Sequence, residues 1–288
     1  MSNINLQQAT SMSSATLRKT RTYRSPAQAA LLAFLAMLRR DLWVTIRELV
    51  PFLVQVLIQP LLLLFIFGRV LPALRIAGPN YGGLLLPGVV ALSTVMAAMQ
   101  GVMVPLSVDL SFSREIDDRL LSPLPVSLIA VEKVIYATVN GLIAGAVIFP
   151  LAFVILGNGY QVRGDEIFFL IGLLVLTALA GSCLGLALGT LISPDQIGII
   201  FAVVLTPMVF TGCTFFPWVS LQGLKWFQIL TLINPLTYAS EGLRAAMVPP
   251  TPGAPSYLGL EWVFLGLGVT IVVFLFIGIR TFNRRVIS

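Results

Sequence analysis

Six long apolar runs, residues 49–68, 83–108, 134–156, 167–192, 197–212 and 262–279, dominate the chain, and none holds a charged side chain in its interior. A helix crosses the hydrocarbon core of a bilayer with about 20 apolar residues, so each run is long enough or nearly so. Only α-helices and closed barrels satisfy their backbone polar groups in lipid. Unbroken runs without strict alternation select helices over barrel strands. Composition agrees: 57% of residues are hydrophobic and only 10% charged, with mean hydropathy +0.95, where soluble domains carry about 25% charged residues. The expected fold is an all-α integral membrane protein with six transmembrane helices. Charges inside spans are costly and mark ion or proton pathways. With no buried carboxylate expected, the runs point to a protein that moves something without driving it through its own titrating groups.

The basic residues set the expected orientation. Of 18 Lys and Arg, 13 fall in 1–48, 109–133 and 280–288, and the other five in the alternate connections 69–82, 157–166 and 213–261. Positive residues favour the cytoplasmic side, so both termini are expected there, which requires an even number of spans. Residues 1–25 read as a disordered basic cytoplasmic tail, without an apolar signal core before Arg18, Lys19, Arg21 and Arg24. Residues 26–48 read as an amphipathic helix lying on the membrane. Leu31, Leu35, Leu38, Leu42 and Ile46 recur at helical steps, while Arg39, Arg40, Asp41, Arg47 and Glu48 fill much of the rest. One membrane domain, 49–285, follows.

Glycines punctuate the spans. Gly181, Gly185 and Gly189 share one face of the fourth, and Gly141 and Gly145 repeat the spacing in the third. Small residues at this spacing let helices approach closely, and packing inside one subunit accounts for them better than a subunit interface. Gly157-Asn158-Gly159 reads as a tight turn. Residues 213–247 are apolar yet hold Lys225, Asn234-Pro235, Glu241 and Arg244. A seventh crossing here would strand Arg280, Arg284 and Arg285 outside. The segment therefore reads as two short re-entrant helices at the outer face, the second capped by Asn234 with Pro235 in its first turn.

Between the second and third runs lies Asp109-Leu-Ser-Phe-Ser-Arg-Glu-Ile-Asp-Asp-Arg-Leu-Leu-Ser-Pro-Leu-Pro125. Ser111 or Ser113 could cap a short helix with Glu115 and Asp117 near its positive end. Glu115 and Arg119 sit four apart in the favourable order, and Phe112, Ile116 and Leu120 form an apolar stripe ended by Pro123. Such a rigid charged helix is a handle for a soluble partner. Arg114-Glu115, Arg119-Leu120-Leu121-Ser122-Pro123 and Glu132-Lys133, with Asn234-Pro235-Leu236-Thr237-Tyr238 and Glu241-Gly242-Leu243-Arg244 before the last span, resemble the type-2 ABC exporter permeases of drug-resistance and polysaccharide-export type. The resemblance covers about residues 28–285. It implies a half-transporter in the bacterial cytoplasmic membrane that pairs with a second permease copy or paralogue and docks on two separately encoded ABC ATPase subunits. It also implies that 27–48 is a connecting helix, that Arg114, Glu115, Asp117, Asp118, Arg119, Leu120 and Leu121 belong to the coupling helix, and that ATP and Mg are used by the partner. In place of the commoner Gly-Thr before the Leu-Leu pair, this chain has Ile116-Asp117-Asp118-Arg119.

The residues agree on energy supply. A P-loop needs Gly-Lys-Ser/Thr, and none of the three lysines, Lys19, Lys133 and Lys225, follows a glycine. No enzyme activity, catalytic group or cofactor is expected. The chain has no histidine and only two cysteines, Cys183 and Cys213, so metal ligands are scarce. Nucleic acid is not an expected partner. Met96, Met99, Met103, Phe201, Thr206, Met208 and Phe210 are candidates for a pathway lining, against packing as the commoner role of methionine and phenylalanine. The expected cargo is a hydrophobic drug or lipid-like molecule. An ion-gradient-driven carrier or channel is the alternative, and it would need polar groups such as Gln55, Gln59, Gln100, Thr206 and Thr211 along a pore.

Overall fold

A computed structural model describes residues 26–78, 81–113, 125–157, 160, 162–248 and 257–287. Among these no strand forms, and six helices are long and apolar enough to cross a membrane. Helix α1 (Pro26–Arg47) is followed after Glu48 by α2 (Leu49–Phe65), which runs on through a π-helical turn, Ile66–Val70, to Ala73. Then come α3 (Tyr81–Val108), α4 (Val126–Leu156), α5 (Ile167–Leu191) and the composite α6 (Pro194–Thr211). Two short helices, α7 (Lys225–Thr231) and α8 (Pro235–Met247), precede α9 (Leu260–Ile287).

The bundle is built around α3. Of its most apolar window 83% is buried inside the chain, against 22% for the first span and 17% for the fifth. Glycines on both neighbours make this possible. A Cβ on Gly185 would lie 2.4 Å from the Met99 carbonyl oxygen, and one on Gly181 2.8 Å from that of Val95. From the other side, a Cβ on Gly145 would meet Thr94 Oγ1 at 2.2 Å. Gly181 and Gly185 thus bring backbones together within this chain and Gly145 makes room for the Thr94 side chain, as expected of small residues between helices that gain nothing from expelling water. Hydroxyls finish the contacts: Thr138 Oγ1 bonds Ser182 Oγ at 3.0 Å, and Thr190 Oγ1 bonds Thr281 Oγ1 at 2.7 Å.

Several boundaries and orientations differ from the sequence reading. Helix α2 extends to Ala73, so Arg69 and Pro72 are helical rather than loop. The second span continues as a π-helical turn, Asp109–Ser113, so Ser111 sits inside a helix, and the short helix expected beyond Ser113 lies outside the described residues. Helix α4 begins at Val126, which places Glu132 and Lys133 well within it. Gly157 ends α4 with φ +54°, the left-handed conformation the turn needs, and its N–H bonds the Phe153 carbonyl. On α1 the leucine stripe faces away from the bundle: Leu31, Leu35 and Ile46 are exposed, while Ala30, Ala33, Phe34, Met37, Asp41 and Thr45 face inward. That suits a helix bedded in lipid on one side and in protein on the other.

Candidate functional site

Among its described residues, the segment between the fifth and sixth spans contains no helix long enough to cross a bilayer. It folds back on the ends of α3, α5 and α9 that the charge pattern assigns to the outside. Asn234 starts α8: its Oδ1 accepts from Leu236 N at 2.9 Å, and Pro235 takes the first position. Its Nδ2 donates to the Met208 carbonyl at 2.7 Å and to Thr211 Oγ1 at 2.9 Å, tying α8 to the end of α6. Tyr238 donates its hydroxyl to the Leu232 carbonyl at 2.7 Å, and its ring lies where a side chain on Gly266 of α9 would stand.

Glu241 and Arg244 form the centre of this cap. Both are 0% exposed and their side chains are ion-paired, Arg244 Nη1 to Glu241 Oε1. Oε1 also accepts from Trp218 N at 2.9 Å and Oε2 from Leu258 N at 3.2 Å. Arg244 Nη2 donates to the Cys213 carbonyl at 3.0 Å and Nε to the Leu84 carbonyl at 3.4 Å. One pair thereby holds four otherwise separate backbone strands: the turn after α6, the 3₁₀ turn at Trp218, the approach to α9 and the first turn of α3. Gly88 lets the turn settle, since a Cβ there would lie 2.1 Å from the Thr214 carbonyl oxygen. Cys213 takes φ +51°, and burial, with the Glu241 charge adding to it, pushes its thiol up to about 11.

A second polar cluster lies at the opposite end of the bundle. Lys133 Nζ donates to Asp41 Oδ2 at 2.7 Å, joining α4 to α1, with side-chain exposures of 7% and 11%. Thr45 Oγ1 and Tyr136 Oη are 2.7 Å apart on the same two helices. Buried carboxylates are therefore present, contrary to the expectation from the apolar runs: Glu241 and Glu132 are 0% exposed and Asp41 9%. The physical reason is that α4 reaches beyond its apolar run and α8 folds back into the bundle. Both lie between runs in sequence and inside the protein in space.

The expected pathway residues separate. Met99, Met103 and Met208 are buried among apolar side chains, Met96 and Phe201 half-buried, and Thr206 and Phe210 exposed on α6. The structure does not bring them to one surface. The coupling-helix residues Arg114, Glu115, Asp117, Asp118, Arg119, Leu120 and Leu121 lie outside the described residues. What the sequence reading missed is the Asp41–Lys133 pair. Its signal was an acid on the helical face of Ala30, Phe34 and Met37 rather than among the arginines.

Five apolar spans gathered on a central one, with a further helix before them and a polar cap of two short helices before the last, fit a multi-pass transport permease domain. The chain belongs to the ABC-2 type transporter family, which it matches over residues 32–248. It is 28% identical over 199 residues to the inner membrane transport permease YadH of Escherichia coli K12, covering 66% of this chain and 75% of that protein. The YadH proteins of Escherichia coli O157:H7 and Shigella flexneri match to the same extent. The chain is thus an ABC transporter membrane subunit, a multi-pass protein of the cytoplasmic membrane.

Proposed function

We propose that this subunit forms half of an export pathway, pairing with a second permease copy or paralogue and driven by two separately encoded ATPase subunits. The observation that carries the reading is the unequal burial of the spans. The second is enclosed, whereas the first and fifth present open faces, with Val50, Val54, Ile58 and Leu62 on one and Ile199, Val203 and Phe210 on the other. These same two helices carry Gln55, Gln59 and Thr206 as exposed side chains. Amides facing hydrocarbon are costly. A second copy against this face would cover them and enclose a mixed polar and apolar conduit between the two chains. Thr206 is the pathway candidate this arrangement favours, and Met99 and Met208 serve as packing.

The ion pairs weigh against an ion-driven carrier, since Asp41 and Glu241 are held by Lys133 and Arg244. Energy then comes through residues 114–121, the expected contact with the ATPase. An apolar drug or lipid-like cargo fits the aliphatic faces. The test is cysteine cross-linking at Gln59 and Thr206 in Cys-free protein, together with ATP hydrolysis by the reconstituted complex. Cross-links between copies that change with trapped ATP support the reading, as does loss of substrate-stimulated hydrolysis in Arg119→Glu. Absence of intermolecular cross-links, or transport driven by an ion gradient without ATP, refutes it.

A further inference from the structure

A pocket of about 360 Å³ opens between α2, α3 and α4, next to the junction of α1 and α2. Its volume lies within the range of small-ligand sites. Its walls are apolar: Pro51, Phe52, Val56, Val104 and Pro105. Its polar groups are the carboxamides of Gln55, Gln100 and Asn140, the hydroxyl of Tyr136 and the carboxylate of Glu48. Asn140 is 1% exposed, and its Oδ1 has no hydrogen-bond partner among the described residues. A buried carboxamide oxygen left so keeps its full desolvation cost. A donor supplied by a ligand would recover that cost. Gly101 keeps the floor open, since a Cβ there would stand 3.4 Å from Asn140 Nδ2 and from Ala137 Cβ.

The charges around the pocket decide which donor fits. On α1, Arg47 lies over the Trp43 ring, 3.7 Å from its centroid. On α4, Lys133 is neutralised by Asp41 and stands 5.8 Å from the Tyr136 ring centroid, behind the pocket wall. Glu48, exposed at the α1–α2 junction, makes no ion pair among the described residues. Of the pocket's own lining groups it alone is charged. Acceptor oxygens, one carboxylate and an apolar wall match an ammonium head on an apolar body, and disfavour a carboxylate or phosphate head.

We propose that this pocket binds the ammonium head of an amphiphile, with Glu48 at its mouth and Asn140 at its floor. The amphiphile is either a bilayer lipid with an ethanolamine head or a free cationic amphiphile. Neither source requires the transport reading, because binding is a property of the isolated chain. The probe is a long-chain primary alkylammonium bearing a photoreactive diazirine, applied to the purified full-length chain in nanodiscs, with the matched fatty acid as the anionic control. Saturable labelling of peptides containing 48–56, 100–105 and 136–140 is expected. Asn140→Leu and Glu48→Gln should each raise the half-saturating concentration about tenfold, the range for a hydrogen bond to a charged group. Glu48 is exposed, so its variant keeps the test open if Asn140→Leu does not fold. Labelling spread evenly over lipid-facing helices, labelling unchanged in Glu48→Gln, or equal labelling by the fatty acid would overturn the proposal. Competition by phosphatidylethanolamine but not phosphatidylglycerol nanodiscs assigns the site to a bilayer lipid. Site-specific labelling that neither lipid displaces assigns it to a free cationic amphiphile.

Discussion

Truncating Glu241 to alanine leaves Arg244 as an unpaired charge at 0% exposure and removes the acceptor for Trp218 N and Leu258 N. Breaking a buried ion pair from one side costs about 3–5 kcal/mol, because the surviving charge is stranded. Arg244→Ala should cost a similar amount, since it strands the Glu241 carboxylate and frees the carbonyls of Cys213 and Leu84. The double variant Glu241→Leu/Arg244→Met strands no charge. It still leaves four backbone groups without their partners, at about 1 kcal/mol each when unshared. Its loss should therefore be about 2–4 kcal/mol, short of the summed single losses, giving a coupling of about 2 kcal/mol or more. Unfolding in mixed dodecyl maltoside and SDS micelles, followed by tryptophan fluorescence, measures all three. Trp218 is a direct reporter, because its backbone N–H sits on the pair. Single losses below about 1 kcal/mol, or additivity within about 0.5 kcal/mol, would show that the cap is held by apolar packing and not by this pair.

Gly185→Val puts a branched side chain against the Met99 backbone, where even a Cβ would stand 2.4 Å from the carbonyl oxygen. It should destabilise by about 3 kcal/mol or more, and Gly172→Val, which meets nothing within 4 Å, should be near neutral in the same unfolding assay. Lys133→Met removes the 2.7 Å donor to Asp41 and should loosen α1, read as faster hydrogen exchange across Pro26–Arg47, while the paired Asp41→Leu/Lys133→Met variant restores part of the protection. Asn234→Ala removes the α8 cap and two further bonds, and should cost about 1–2 kcal/mol in the same micelles. The Cys213 thiol, raised from 9.0 to about 11, stays protonated at neutral pH, so iodoacetamide should label it only as the pH approaches that value. Because the unfolded chain loses this proton first, its contribution to stability is full below about pH 9 and declines as pH rises toward 11.

The spans were legible because a bilayer allows few solutions. Twenty apolar residues without a charge have one economical conformation, and alternating basic loops fix the count. The glycine faces were equally legible, since the spacing of Gly181, Gly185 and Gly189 has no other use on a helix. Asn234-Pro235 announced a helix start by local chemistry alone. The buried charges were not legible in this way. Nothing in the spacing of Asp41 and Lys133, 92 positions apart, signals that the fold brings them to 2.7 Å. Glu241 and Arg244 lie three apart on an amphipathic helix, which in water reads as a surface pair worth a few tenths of a kcal/mol. Only the return of α8 into the bundle makes it the most buried pair among the described residues.

The two polar clusters divide the molecule by mechanical role. At the end that bears the cap, one ion pair ties three backbone segments to the first turn of α3, which fixes the cap to the most buried span. At the other end, an ion pair fastens α1 to α4 and Ala30, Ala33, Phe34 and Met37 pack inward, while Leu31 and Leu35 stay exposed. A force applied to α1 would reach the spans through the Asp41–Lys133 pair, the Thr45–Tyr136 hydrogen bond and this apolar contact. The first span leaves that joint at Glu48 and is only lightly packed against the core. Displacing α1 should therefore move α2 more readily than α3. The side of the molecule that opens would be the one bearing Gln55 and Gln59, with the outer cap as its fixed end.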